Sequence, residues 1–296
     1  MAYKFGPSIS VGVLPLGIVY GSGSLWVANY TSGTVSRVDS VALSVTATIT
    51  GLATAEAITY AFGSVWVTHG NNVSRLDPST NTITATITGM GSSSPVITFD
   101  GSYVWVNNYG NNTVRRIDPT TNTVTGTFTK GQFGYGLATG DNSVWASGGA
   151  GTYTISRVDP TTVTSTATIT TTNYTGYGST FAFGSLWAAS GVATEDLYRI
   201  DPATNTVIAT INLSALGSTP IVIGFDSSAV WVDSNAAVSR INPTTNTVTD
   251  RLLLPSSQIP RGIGIDDNDK VWVSFNSAIN RIDLAGGIFT DGASHL

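Results

Sequence analysis

Cysteine is absent from the 296-residue chain. That excludes disulfides, thiolate metal sites and cysteine nucleophiles, and it leaves the redox compartment open. Charge is scarce as well: charged residues make up 10% and the net charge is −5, against about a quarter charged in an ordinary domain. Lysine occurs only at Lys4, Lys130 and Lys270, and the chain has no basic patch. Nucleic acid and membrane insertion are therefore not expected. No apolar run approaches the roughly eighteen residues of a membrane helix, and none of signal-peptide length follows the N-terminus. The chain reads as made and released in the cytosol, with export by a removed leader or by lysis left open. Gly-x-Ser-x-Gly, His-Glu-x-x-His and P-loop motifs are missing. Asp266-Asp-Asn-Asp269 lacks the alternating ligands and distal Glu of a calcium loop and reads as a polar hairpin turn.

What the chain has instead is a repeat. Its seven tryptophans are Trp26, Trp66, Trp105, Trp145, Trp187, Trp231 and Trp272, spaced by 40, 39, 40, 42, 44 and 41. A second marker follows each: Arg37-Val-Asp39, Arg75-Leu-Asp77, Arg116-Ile-Asp118, Arg157-Val-Asp159, Arg199-Ile-Asp201, Arg240-Ile-Asn242 and Arg281-Ile-Asp283. Two independent markers sharing one period near 40 are the signature of propeller blades. Each unit reads as four short strands: a small-residue segment such as Gly17–Tyr20, a tryptophan strand such as Leu25–Ala28, an arginine strand such as Val35–Val38, and a Thr/Val alternation such as Thr82–Ile87. Asp77-Pro-Ser-Thr-Asn81 and its equivalents supply the turn from the third strand to the fourth, with Asp at the first position and Pro fixing φ at the second.

The fold class is therefore all-β, a seven-bladed β-propeller of four-stranded antiparallel blades, and the uninterrupted repeat makes residues 1–296 one domain. Ring closure by the two chain ends in the last blade has two readings. Either residues 8–14 supply that blade's outer strand, which is preferred, or Ile288-Phe-Thr290 does. Closure removes the exposed edges that sheets otherwise leave.

The Gly-Ser-(Leu/Val)-Trp-Val strand and the Arg-(Val/Ile)-Asp-Pro-x-Thr-Asn-Thr turn resemble the YVTN-type β-propeller repeats. More loosely, they resemble the streptogramin (virginiamycin B) lyase superfamily. The likeness covers nearly the whole chain and is specific for fold rather than function. The lyase resemblance implies histidine chemistry and a Mg²⁺ near the central channel. Only His69 and His295 are available, and His69, just beyond Trp66, is the residue that could turn toward the upper channel.

Seven equivalent copies argue for architecture, so the tryptophans read as core. The arginines read as holding carbonyls, an Asp or an aromatic ring, and the aspartates as turn caps. Function belongs where the copies differ. Twelve of the eighteen acids fall on the face carrying the first-to-second and third-to-fourth turns. The other, variable face is poor in charge (Glu56, Lys130, Glu195, Asp196, Asp233, Arg261) and rich in Tyr, Phe, Asn, Ser and Gly. Tyr30, His69, Asn108, Tyr109, Tyr135, Tyr177 and Arg261 are the candidate ligand- or partner-binding residues. Aromatic bodies with amides suit a protein or glycan surface; the plain alternative is ordinary loop residues. No catalytic residue, metal site or cofactor is assigned. The expected role is a non-catalytic binding or structural module, in its narrower form a virion component (phage decoration or tail-associated) or cell-surface component of a larger assembly. A virion or extracellular place is favoured over a cytoplasmic one. The competing class is a Mg-dependent lyase or hydrolase using His69.

Overall fold

The structure, a computed structural model, describes residues 3–91, 96–132, 134–148, 153–173, 178–190, 195–213, 220–234, 237–254 and 260–284. The described residues form seven four-stranded antiparallel sheets, with no helix among them. Six blades run in chain order from the innermost strand outward. Their innermost strands are Pro15–Gly21, Ala55–Ala61, Val96–Phe99, Leu137–Gly140, Ser179–Ala182 and Pro220–Phe225. Blade 7 combines Ile263–Ile265, Val271–Phe275 and Ala278–Leu284 with the N-terminal strand Tyr3–Ser10 as its outer edge. The innermost strand of blade 7 packs beside that of blade 1, which closes the ring.

Closure by the N-terminal segment is as expected, but the strand spans Tyr3–Ser10 rather than 8–14. Gly6-Pro7 hides it in the sequence. The register with Ala278–Leu284 shifts between Phe5 and Ser8, a bulge at this dipeptide, and an outer edge strand tolerates proline because its missing N–H needs no ladder partner. Gly6 is required at that bulge: a Cβ there would lie 2.0 Å from Asp283 Oδ2. Ile288–Thr290 lies outside the described residues.

The seven tryptophans are buried between blades, and each indole N–H is bonded. In four blades it donates to the last carbonyl of the innermost strand or just beyond it: Gly21, Ala61, Gly140 and Ala182. In the other three an aspartate carboxylate takes that place: Asp100, Asp226 and Asp266, at 2.7, 2.7 and 2.9 Å. Five of the marker arginines lie over these rings, Arg37 at 5.1 Å from Trp26 for example, and Arg116 lies over Tyr103. In six blades the third-to-fourth strand register shifts immediately after the arginine. This bulge re-aims the guanidinium out of its own sheet. Arg37, Arg75, Arg157 and Arg199 then donate to the proline carbonyl and Asn Oδ1 of the next blade's turn. Those turns are capped as expected: Asp77 Oδ1 accepts from Ser79 N, and Asn81 closes the turn at φ 57°. The turn N–H groups hold Asp39 and Asp159, and the Ser79 hydroxyl and N–H hold Asp77, below the usual carboxylate range.

Candidate functional site

With the repeated groups committed to one another, the central channel is where the blades diverge. Each tryptophan pairs across its hairpin with one residue of the innermost strand: Val19, Thr59, Thr98, Ala138, Thr180, Gly224 and Gly264. That pairing puts all seven strands on a common level. One residue earlier stands a collar that five blades build from buried isoleucine, Ile18, Ile58, Ile97, Ile223 and Ile263, and the other two from Leu137 and Ser179. Three residues earlier in sequence, among the described side chains, stand Leu16, Glu56, Tyr135 and Arg261. Here the repeat gives way to an aliphatic, an acid, an aromatic and a base.

Leu16, Glu56, Tyr135 and Arg261 line one cavity of about 450 Å³ at the variable-face end of the channel, above the isoleucine collar. Between the two levels the residues are small, including Gly17, Ala57 and Gly262. Gly262 is needed for closure, since a Cβ there would lie 1.8 Å from the Leu16 carbonyl oxygen. Glu56 is half-buried, and burial pushes its carboxyl above the usual range. Arg261 is exposed at the rim. Neither side chain has a hydrogen-bond or ion-pair partner among the described residues.

Tyr135 is held from behind. Asn107 Nδ2 donates to the carbonyls of Gly134 and Tyr135 at 2.9 and 2.7 Å, and Lys130 Nζ donates to Gly134 O at 2.6 Å. The Tyr135 ring stacks on Tyr109, with centroids 4.1 Å apart and planes 10° from parallel. Lys130 is 5% exposed, and burial lowers its pKa to about 8.

The candidate residues thus separate. Tyr135 and Arg261 share the cavity and Tyr109 adjoins it through the stack, whereas Tyr30, Asn108 and His69 are not in its lining. Tyr177 lies outside the described residues. His69 does not turn into the channel. It occupies the repeat position of Asn29, three residues past the tryptophan, and bonds outward to Ser74 Oγ at 2.8 Å, as Asn29 Nδ2 bonds Ser36 Oγ at 2.9 Å. Burial lowers its pKa. A Mg²⁺ of the kind the lyase resemblance implies does not fit this donor set. The upper tier carries one carboxylate with a guanidinium on the same level, and among the described residues no three of His, Cys, Asp and Glu come together.

Residues 17–196 match the family model described as Domain of unknown function (DUF5074). The chain belongs to that family. The matched span takes in nearly all of the first four blades and reaches into the fifth, so it contains Glu56 and Tyr135 but stops short of Arg261. Among solved structures, a streptogramin B lyase aligns at TM-score 0.80 and 16% identity, covering 96% of this chain and 98% of that one. Hydrazine synthase of Kuenenia stuttgartiensis aligns at TM-score 0.78 and 13% identity, covering 95% and 98%. At such identities the likeness speaks for the fold alone. Comparison with curated protein sequences gives no match.

Two features escaped the sequence reading. By residue type Glu56 is one of the sparse charges of the variable face, yet it lies ten residues before Trp66, as Tyr135 lies ten before Trp145. On the opposite face, Phe62 packs edge-on against Phe99, and Phe183 against Phe225, and all four rings are exposed.

Proposed function

We propose that the chain is a non-catalytic binding module that offers its variable face, centred on the upper tier of the channel, to a protein or a glycan. One observation carries this reading. The groups that recur in every blade are consumed by the fold, whereas Leu16, Glu56, Tyr135 and Arg261 diverge at one level and converge on one cavity. A rigid, mostly apolar concavity with a few polar groups and a stacked tyrosine pair at its edge matches what recognition sites use. In its narrower form the module is a component of a larger particle or of a surface, a virion or a cell, as the low charge and the Thr/Asn/Gly-rich composition favour.

The test is binding of labelled protein to glycan and protein arrays, with wild type and the Tyr109→Ala/Tyr135→Ala double variant side by side. Retention by wild type and loss by the double variant supports the module; equal retention by both contradicts it. The lyase reading finds no support in the placement of His69, which fills an asparagine's structural position. Loss of a divalent-metal-dependent activity in His69→Ala would reverse that judgement.

A further inference from the structure

We propose that the upper end of the channel binds a bipolar ligand, with an ammonium group at Glu56, a carboxylate at Arg261 and an apolar body between them over the isoleucine collar. This deepens the binding-module reading and rests on it. Glu56 and Arg261 hold the same position of the repeat in blades 2 and 7, on either side of blade 1, where the position is filled by Leu16. Acid, aliphatic and base therefore come from three consecutive blades, and all three line one cavity. A ligand complementary to that order has a cation, an apolar spacer and an anion.

The two charged side chains lack, among the described residues, the partners that the marker arginines and the buried acids near the variable face have found. All seven marker arginines are hydrogen-bonded. The buried acids near the variable face are engaged too: Asp196 accepts from Asn173 and Asn212, and Asp233 from the Val222 amide. Glu56, half-buried in the cavity wall, has neither a cation nor a donor among the described residues. Holding a carboxylate there costs desolvation that no contact among the described residues offsets, and an incoming ammonium would supply the missing charge. Arg261 at the rim suits a carboxylate through its planar fork. The cavity, about 450 Å³, lies within the roughly 300–1,000 Å³ range of ligand pockets. Leu16 and the isoleucines of the collar supply an apolar floor for the body of the ligand.

This chemistry is found in a free ω-amino acid and in the C-terminal lysine of a peptide. Titration calorimetry at neutral pH would therefore use two probes, 6-aminohexanoate and a pentapeptide ending in lysine, with hexanoate and hexylammonium as single-ended controls. The expected result is saturable binding of at least one bipolar probe, with each control weaker. Glu56→Gln and Arg261→Gln should each weaken the bipolar probe at least about tenfold, as loss of a charge-assisted hydrogen bond does, whereas Glu195→Gln should not. The preferred probe distinguishes a small-molecule from a protein ligand. Both charge variants should fold: Arg261 is exposed, and Glu56→Gln removes an unpaired charge, so its melting temperature should hold or rise. Absence of saturable binding, or unchanged affinity in Glu56→Gln, overturns the bipolar site. If that happens while array binding still depends on Tyr109 and Tyr135, the module stands without it. If array binding is absent too, both readings fall.

Discussion

Arg75 of blade 2 donates through Nη1 to the main-chain oxygen of Pro119 in blade 3, at 2.6 Å, while its guanidinium lies 5.1 Å above the ring of its own Trp66. One side chain thus ties the core of a blade to the turn of the next. The link is not made at every junction. At the junction of blades 6 and 7, Arg240 reaches only Thr249 and Ser228 of its own blade, and its ring contact lengthens to 5.9 Å. In blade 7, Arg281 pairs with its own Asp283.

Arg75→Met should therefore cost more than Arg240→Met. Loss of an inter-blade charge-assisted bond predicts about 2 kcal/mol for the first and under about 1 kcal/mol for the second. Urea unfolding of both variants would show it, and equal costs would mean that the latch contributes nothing beyond ring stacking.

Lys130 gives a pH signature. Its folded-state value, about 8, lies below the ordinary 10.5, so between these limits the unfolded chain binds more protons than the folded one. Stability should rise with pH through that window and level off above it, by a total of the order of 3 kcal/mol. Lys130→Met should lack this rise and be the more stable protein at pH 7. Other groups titrate in the same range, so the quantity to measure is the difference between wild type and variant. A difference that stays flat from pH 7 to 11 would contradict the burial argument.

Asp226 is the most heavily used of the three indole acceptors, receiving bonds from Ser228 N, Ser228 Oγ, Ala229 N and Trp231 Nε1. Asp226→Ala leaves these donors unmatched beside a buried ring and should cost about 2–4 kcal/mol. Asp226→Asn keeps an acceptor and should recover part of it. Chemical denaturation followed by tryptophan fluorescence reads both, and a cost under about 1 kcal/mol for the alanine variant would count against the assignment.

The N-terminal strand is the clasp of the ring. Beyond its ladder, Tyr3 stands edge-on to Trp231 at 5.2 Å and Phe5 edge-on to Phe275 at 5.3 Å. Removing residues 1–10 uncovers the edge of Ala278–Leu284. The truncated protein should melt at lower temperature and self-associate through that edge. An unchanged melting temperature with a monomeric mass by light scattering would show that the ring does not need its clasp.

The sequence was most legible where chemistry repeats. Trp26 and its six equivalents, the arginine marker and the Asp-Pro turns announced the blades, because a period visible twice over fixes strand order within each unit. It was less legible where two units meet. Nothing in the spacing of Arg75 says that its partner is Pro119, forty-four residues on, since that contact exists only once the ring is closed. Gly6-Pro7 concealed a strand because its irregularity answers to Asp283 at the far end of the chain. Tyr135 and Arg261 stood out by residue type, but Glu56 drew notice as one charge among several. It becomes a site residue only when the fold brings it into one cavity with the other two.

The claim that the variable face is the working face is tested most directly by array binding with two paired variants: Tyr109→Ala/Tyr135→Ala at the channel mouth, and Phe62→Ala/Phe99→Ala at the exposed aromatic pair on the turn face. The result expected is loss of binding in the first pair and retention in the second. Retention in the first and loss in the second would move the binding surface to the opposite face of the propeller.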